Sequence, residues 1–459
     1  MPASPSTPIH RRLGAPAQIG EPPAVIVNVY FVILFLGLVV LELNLPSIGS
    51  GPRNPDDPGT RIAFPIFILS LVVLMPLALS LLRFSLSLRI PWLSVVLYGV
   101  YASWCVTTAL WSPMTTSSAV HALVLLTMIG LAVAGAAVGI DKTLKIFLFV
   151  CLGVMIMSWL VLPIFPDFAL RFPDVFRLRG VMMHEFRLGY LAAAALLASP
   201  CVLARREHFP AIGTTFPTVV FIASALTLLA TQTRSLTVYT PFCFGLIAFF
   251  WCKPSLRAAV TAVFVLALLA GLIFSGPLID VVTRGEQDAT LTGRTLVWER
   301  TLVLAEPYWL MGAGFKSYFH PSFDWIFLGD YRPAHAHNAY LNAYFETGVV
   351  GAGLLLVFNL AVLVESWRFQ RLRGVPSISF YLFLLITMSG MTGVLLGSML
   401  ATLVGFALVF FVQEGCQAYA VVQSAPAAAA SPSRRLGDRW TKSPPAAGAM
   451  TSEGRAPQP

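Results

Sequence analysis

The sequence predicts an all-α, polytopic membrane protein of about twelve spanning helices, and three observations carry that prediction. Hydrophobic residues make up 57% of the 459 positions and charged residues 11%, whereas soluble domains run near ~45–50% and ~25%. Apolar windows of about 20 residues, the length that crosses a hydrocarbon core of ~30 Å as a helix, recur along almost the whole chain. Lys and Arg then gather on alternate connections, as the positive-inside rule asks of short loops.

In chain order, residues 1–23 form a Pro- and Ala-rich tail that cannot bury enough apolar area to offset chain entropy, so it is expected to be disordered and cytoplasmic. It carries no recognisable cleavage site, and the first helix is expected to be retained. Helices are expected at 24–41, 62–82, 90–110, 117–139, 143–164, 186–204, 215–232, 235–252 and 257–275, the membrane block 24–275. A long outer loop with short helices follows at 276–337. Three more helices, 338–364, 378–395 and 398–414, fill the block 338–415, and 416–459 is expected to be a second disordered cytoplasmic tail.

With the amino terminus inside, the inner segments carry Arg11 and Arg12, Arg83 and Arg89, Lys142 and Lys145, Arg205 and Arg206, Lys253 and Arg257, and Arg368, Arg371 and Arg373. Counting the C-terminal tail, eighteen of the thirty Lys and Arg residues lie inside. The net charge of +9 is therefore topogenic and gives no reason to expect a nucleic-acid partner, which would need a clustered basic face on a soluble domain. The six cysteines fall in or beside membrane helices, with no disulfide framework or zinc-type spacing.

The outer segments carry the chemistry. Residues 165–186 concentrate Arg177, Arg179, His184, Glu185 and Arg187 just before a helix. Guanidinium forks match phosphate geometry, so this reads as an anion site, with headgroup snorkelling as the alternative. Arg234 stands at the outer end of the seventh helix, where an ionisable group calls for an anionic ligand or a structural salt bridge. In the long outer loop, Thr292 or Thr295 would cap a short helix containing Leu296, Val297, Arg300, Leu302 and Leu304, ended by Pro307. Gly312 and Gly314 then make a flexible turn without the strand and helix of a dinucleotide fingerprint.

The stretch AHAHNAYLNAYFETGVVG, residues 334–351, joins this loop to the tenth helix. His337, Leu341, Tyr344 and Gly348 have helical spacing. An imidazole at the membrane surface, with an ordinary pKa of ~6.5, suits proton transfer. It can equally be read as an interfacial polar residue, Asn338 as a helix cap, and Tyr340 and Tyr344 as belt aromatics. No Asp-x-Asp pair stands in the outer segments, and His335 with His337 makes an incomplete metal site.

LTGRTLVWERTLVLAEPYWLMGAGFKSYF followed by AHNAYLNAYFETGVVG resembles the O-antigen ligase and polymerase superfamily of bacterial surface polysaccharides, and looks closest to its exopolysaccharide-polymerase branch. Arg177-x-x-Gly180, Arg187-x-x-x-Leu191 and Thr233-Arg234-Ser235 are similar to that family's upstream signatures, and the resemblance covers roughly residues 170–415. His184-Glu185-Phe186 departs from the His-Pro-Asn of many members.

The resemblance implies a membrane glycosyltransferase of the lipid-phosphosugar-dependent, GT-C-like type, working at the periplasmic face of the bacterial inner membrane. Its donor would be an undecaprenyl-pyrophosphate-linked glycan, its acceptor another glycan, the lipid A core of lipopolysaccharide or a protein hydroxyl. Membrane lipid and polysaccharide export or chain-length proteins would be its other partners. Transfer would be inverting, without metal or cofactor. His337 would act as base, and Arg177, Arg187, Arg234, Arg294, Asn338 and Tyr340 as substrate ligands, with Gly312, Gly314 and Gly348 structural. A twelve-helix transporter or flippase is the rival class, but the chain shows no matching halves and gathers its charge at the outer surface rather than the midplane.

Overall fold

The computed structural model describes residues 22–38, 76, 79–172, 175–182, 184–204, 208–209, 212–251, 257–258, 294–318, 320–326, 335–391 and 401–424. Most of the expected span 62–82, nearly all of 257–275, and residues 276–293 of the long loop lie outside this set. So do residues 1–21 and 425–459 of the expected tails.

The described chain is built from helices: α1 Ala24–Leu38, α2 Trp92–Thr108, α3 Thr115–Gly135, α4 Ile140–Ile164, α5 Glu185–Ala204, α6 Thr215–Thr231, α7 Arg234–Trp251, α8 Arg294–Ala305, α9 Ala339–Arg373, α10 Ile378–Gly390 and α11 Ala401–Ser424. Five segments are long and apolar enough to cross a membrane: α3, α4, α5, α9 and Leu403–Gln423 of α11. Four shorter helical segments are also apolar: Ala24–Leu34 of α1, and α2, α6 and α10. Together they make a multi-pass membrane protein of all-α type. The expected boundaries agree within a few residues, because hydropathy marks where a helix enters hydrocarbon.

The exceptions are at helix ends. α9 runs through the basic residues to Arg373 and stops at Gly374, which takes the left-handed conformation (φ 66°) of a C-terminal cap. α11 continues to Ser424, so residues 416–424, expected in a disordered tail, are helical. A buried ion pair holds both ends: Arg373 Nη1 lies 3.0 Å from Glu414 Oε1, with the two side chains 5% and 0% exposed. The Glu414 carboxylate also accepts from the Ile378 N–H at 2.8 Å and the Ser379 hydroxyl at 2.6 Å, which seats the start of α10.

α5 packs along α6, α2 along α9, and α3 along α11. Ala192 to Ala195 and Ala198 of α5 are fully buried, and such small residues let membrane helices approach closely. Polar side chains collect at the two ends. At one end Gln413 Nε2 donates to Gly135 O and to Thr143 Oγ1, both at 2.8 Å, and Ser85 donates to Ala134 O. These residues adjoin the segments expected inside.

At the other end, residues 165–172 and 175–182 fold back on the bundle with two paired antiparallel strands, β1 Leu170–Phe172 and β2 Val175–Leu178, a local departure from the all-α expectation. The N–H groups of Arg179 and Gly180 donate to Ala169 O at 2.8 and 2.9 Å. Gly180, at φ 59°, lies so close to Ser158 that a Cβ would stand 2.1 Å from that side chain. The strand pair is thus pinned to the end of α4.

Candidate functional site

The site begins with an interruption in α9. Asn338 caps the helix, its Oδ1 accepting from the N–H groups of Tyr340 at 3.0 Å and Leu341 at 3.1 Å. Gly348 then breaks the helix, with φ 70° and ψ −175°. Exposed backbone groups at membrane depth are costly and must be met by protein, and the turn after α8 meets them. Trp309 O accepts from Val349 N–H at 2.8 Å, while Ala313 N–H and Gly314 N–H donate to Phe345 O at 2.8 Å and Glu346 O at 2.9 Å. Trp104 Nε1 donates to Thr347 O at 2.9 Å.

Only glycine permits this approach. A Cβ at Gly348 would lie 2.1 Å from Leu310 O, and one at Gly312 2.4 Å from the Glu346 carbonyl; one at Gly314 would lie 2.4 Å from Ser112 Cα. The turn expected to be flexible is therefore locked backbone to backbone. The helical-face argument that aligned His337 with Gly348 also fails, because neither residue is helical. The feature that reaches Gly348 is the 309–312 backbone.

His337 does not sit in the first helical turn. It precedes the cap in the left-handed conformation, φ 52°, uncommon for a residue with a side chain. Its N–H donates to His335 Nδ1 at 3.1 Å, and the two rings meet edge-on with centroids 4.3 Å apart. His335 is thus tied to the His337 backbone, and its Nδ1 is the accepting nitrogen. Burial is the first cause that lowers His337 from 6.5 to about 3, followed by the neighbouring His335 and the Arg294 charge. Burial, then Lys316 and Arg294, bring His335 down to about 4. Both imidazoles are neutral near pH 7, so each has a nitrogen lone pair.

A second buried group supports this loop. The Glu346 side chain takes hydrogen bonds from the backbone of Lys316 and Tyr318 and from Asn342, while Asn342 Oδ1 accepts from Ala336 N–H at 3.3 Å. Lys316 is itself left-handed, at φ 63°. Sequence reasoning passed over Glu346 and Lys316. The available signal was an acidic residue inside an apolar helical run, which is rare in membranes.

The arginines come from separate elements. Arg187 is buried in the first turn of α5. Two residues on, a Cβ at Gly189 would lie 2.9 Å from Thr233 Oγ1, so this end of α5 meets the turn from α6 into α7. There Gln232 is left-handed, φ 50°, and Arg234, half-buried, opens α7. Arg294 opens α8, and its charge acts on Tyr190 of α5 as well as on both histidines. Arg177 lies on β2 with Nη1 3.9 Å from Glu185 Oε1, and His184 Nδ1 is 3.0 Å from the other carboxylate oxygen. Arg179 is tied to the short helical turn Pro166–Ala169 before β1, donating to Phe168 O at 2.7 Å.

Of the remaining expected site residues, Asn338 spends its side-chain oxygen on the cap. The Tyr340 hydroxyl accepts from Asn359 Nδ2 at 3.3 Å, so it faces the bundle rather than a headgroup belt. Thr295 lies inside α8, and Pro307 falls in a 3₁₀ turn, Glu306–Tyr308, after the helix has ended at Ala305. Among the described residues no three His, Cys, Asp or Glu side chains converge as ligands for a metal ion. The arrangement offers two neutral imidazoles beside fixed cations that lower their proton affinity; an anion held by those cations would offset that effect and let an imidazole take up a proton.

Residues 219–356 match the family model described as O-antigen ligase. The chain is also 27% identical over 175 residues to the exopolysaccharide production protein ExoQ of Rhizobium meliloti (strain 1021), a match covering 37% of this chain and 36% of that relative. It thus spans about a third of the relative's length.

Proposed function

This chain resembles the O-antigen ligase and polymerase superfamily, and from that premise we propose that it is a membrane glycosyltransferase that extends or ligates polysaccharide from a polyprenyl-pyrophosphate carrier. The observation that carries the reading is the neutral His337 in left-handed backbone beside the Arg294 charge, within the matched region. In the proposed reaction an acceptor hydroxyl oxygen bonds the anomeric carbon of the donor sugar as the bond from that carbon to the carrier pyrophosphate breaks. The hydroxyl proton passes to His337, and the polyprenyl pyrophosphate leaves. One displacement inverts the anomeric centre.

The leaving group is a stable anion and needs cations more than a proton donor. Arg187, Arg234 and Arg294, each at a helix start on the same end of the bundle, are assigned to it. Arg177, engaged with Glu185, is assigned to the glycan. Undecaprenyl pyrophosphate is the carrier assigned, with the outer face of the inner membrane as the working side. The resemblance to the exopolysaccharide-polymerase branch is the ground for assigning polymerisation, with a second lipid-linked repeat as acceptor, over ligation to lipid A core or protein.

The test is purified protein in liposomes with a defined undecaprenyl-pyrophosphate-linked oligosaccharide and no ion gradient. Longer or transferred glycan is expected. Movement of unaltered donor across the bilayer, with no new glycosidic bond, would instead assign the chain to the transporter class. Arg187→Lys and Arg234→Lys are expected to impair transfer strongly at normal expression, because an ammonium cannot reproduce a bidentate fork. Normal activity in both would remove the pyrophosphate assignment.

A further inference from the structure

The turn that fills the break in α9 presents an unusual surface. Pro307, Tyr308, Trp309, Leu310 and Met311 are all exposed, the last four by 38%, 55%, 45% and 42%. Five consecutive exposed apolar residues in a water-facing loop would be an aggregation hazard. Here the run adjoins exposed apolar residues of two helices. Trp309 O is bonded to Val349 N–H, and Val349 and Val350 begin the apolar exposed side of α9 that continues through Leu356, Val357, Leu360 and Val364. On the other flank Trp111 Nε1 donates to Gly312 O at 3.0 Å, next to Leu110, 77% exposed, at the end of α2. A cleft of about 310 Å³ lined by Trp111 and residues 307–312 opens along this seam.

Both flanks are thus exposed apolar surfaces at the ends of apolar helices, and the run is laterally continuous with them. Trp309 O, Ala313 N–H and Gly314 N–H bond the broken helix, Gly312 N–H bonds Tyr308 O within the turn, and the side chains of Tyr308 to Met311 are left outward. This is the condition under which irregular backbone is tolerated at membrane depth. We infer that residues 307–314 form a re-entrant segment seated in the bilayer leaflet next to the site, with Tyr308 to Met311 in contact with lipid acyl chains. The long loop is therefore not wholly aqueous. It dips into the membrane where it locks α9, and the indole and phenol rings sit at the level that aromatic belts occupy.

The test uses the full chain in lipid nanodiscs. Leu310→Cys and, as a polar exposed control in the same loop, Ser322→Cys carry an environment-sensitive fluorophore, with the parent protein as blank for its native cysteines. At position 310, quenching by nitroxides on lipid acyl chains is expected to exceed quenching by aqueous iodide severalfold. At 322 the order reverses. In parallel, the unsubstituted protein is labelled by an apolar carbene precursor dissolved in the bilayer and mapped by mass spectrometry, which removes dependence on a variant's folding. Label on residues 307–311 is expected without any glycan donor. Iodide-dominated quenching at 310, or absence of carbene label from 307–311, would overturn the proposal. So would labelling that appears only with a polyprenyl-pyrophosphate donor, because the surface would then serve the substrate chain rather than the bilayer.

Discussion

His337 combines three unusual properties: left-handed backbone, a ring against another imidazole, and a lowered proton affinity. His337→Asn is the informative substitution, because Asn tolerates the left-handed region while lacking a basic nitrogen. Transfer is expected to fall ~10²–10⁴-fold, the usual loss of a general base, with thermal stability close to the parent. His335→Ala should cost less but not be silent, since it removes the acceptor that holds the His337 N–H. Because both histidines lie below 6.5, the unfolded chain takes up protons that the fold refuses. Their contribution to stability is complete above pH 6.5 and is lost as pH falls toward 3–4. Arg294→Gln removes one of the lowering charges while burial remains, so the acid limb of kcat/KM should move upward by part of that interval. An unmoved limb would detach Arg294 from the histidine. The sequence made His337 visible by its place beside a membrane helix. Its backbone state was not legible, because a 3.6-residue pattern runs unbroken through residues that are not helical. The Asn338 cap was legible, since its chemistry is local.

At the element scale the decisive object is the joint of the 309–314 turn with the broken α9. Gly348→Ala and Gly312→Ala drive a methyl into backbone carbonyls, and each should destabilise the protein by about 1–3 kcal/mol or more. Gly353, five residues on in the same helix, has open space around it, so Gly353→Ala should be neutral or stabilise by roughly 0.5–1 kcal/mol. Thermal unfolding in detergent, read by exposure of buried thiols, compares the three. Equal effects at 348 and 353 would contradict the joint. The glycines were conspicuous in the sequence, but a flexible turn and a locked contact share one composition. What each glycine meets depends on residues far along the chain.

For the whole molecule, the two ends divide the labour: motifs at one, the Arg373–Glu414 pair and its serines at the other. Glu414→Ala strands a buried guanidinium and should cost ~3–5 kcal/mol. Yield and melting temperature should fall while transfer per folded molecule stays near normal. Loss of specific activity at unchanged stability would mean that the ends communicate. Among the described residues helix positions were read well because hydropathy marks where each helix enters hydrocarbon. Helix ends were read less well because Glu414 and Arg373 extend α9 and α11 by a pairing between distant residues.

The break at Gly348 also divides α9 in time. Beyond Val349 the amide ladder is intrahelical; on the two sides of the break, Phe345 O and Glu346 O before it and Val349 N–H after it bond residues 309–314. Residues 309–318 and 339–349 should therefore open together in hydrogen exchange, as one cooperative unit distinct from 350–373. Deuterium uptake would rise in both peptides with matched kinetics while the remainder of the helix stays protected, and a single opening event would uncover a histidine and its tether at once.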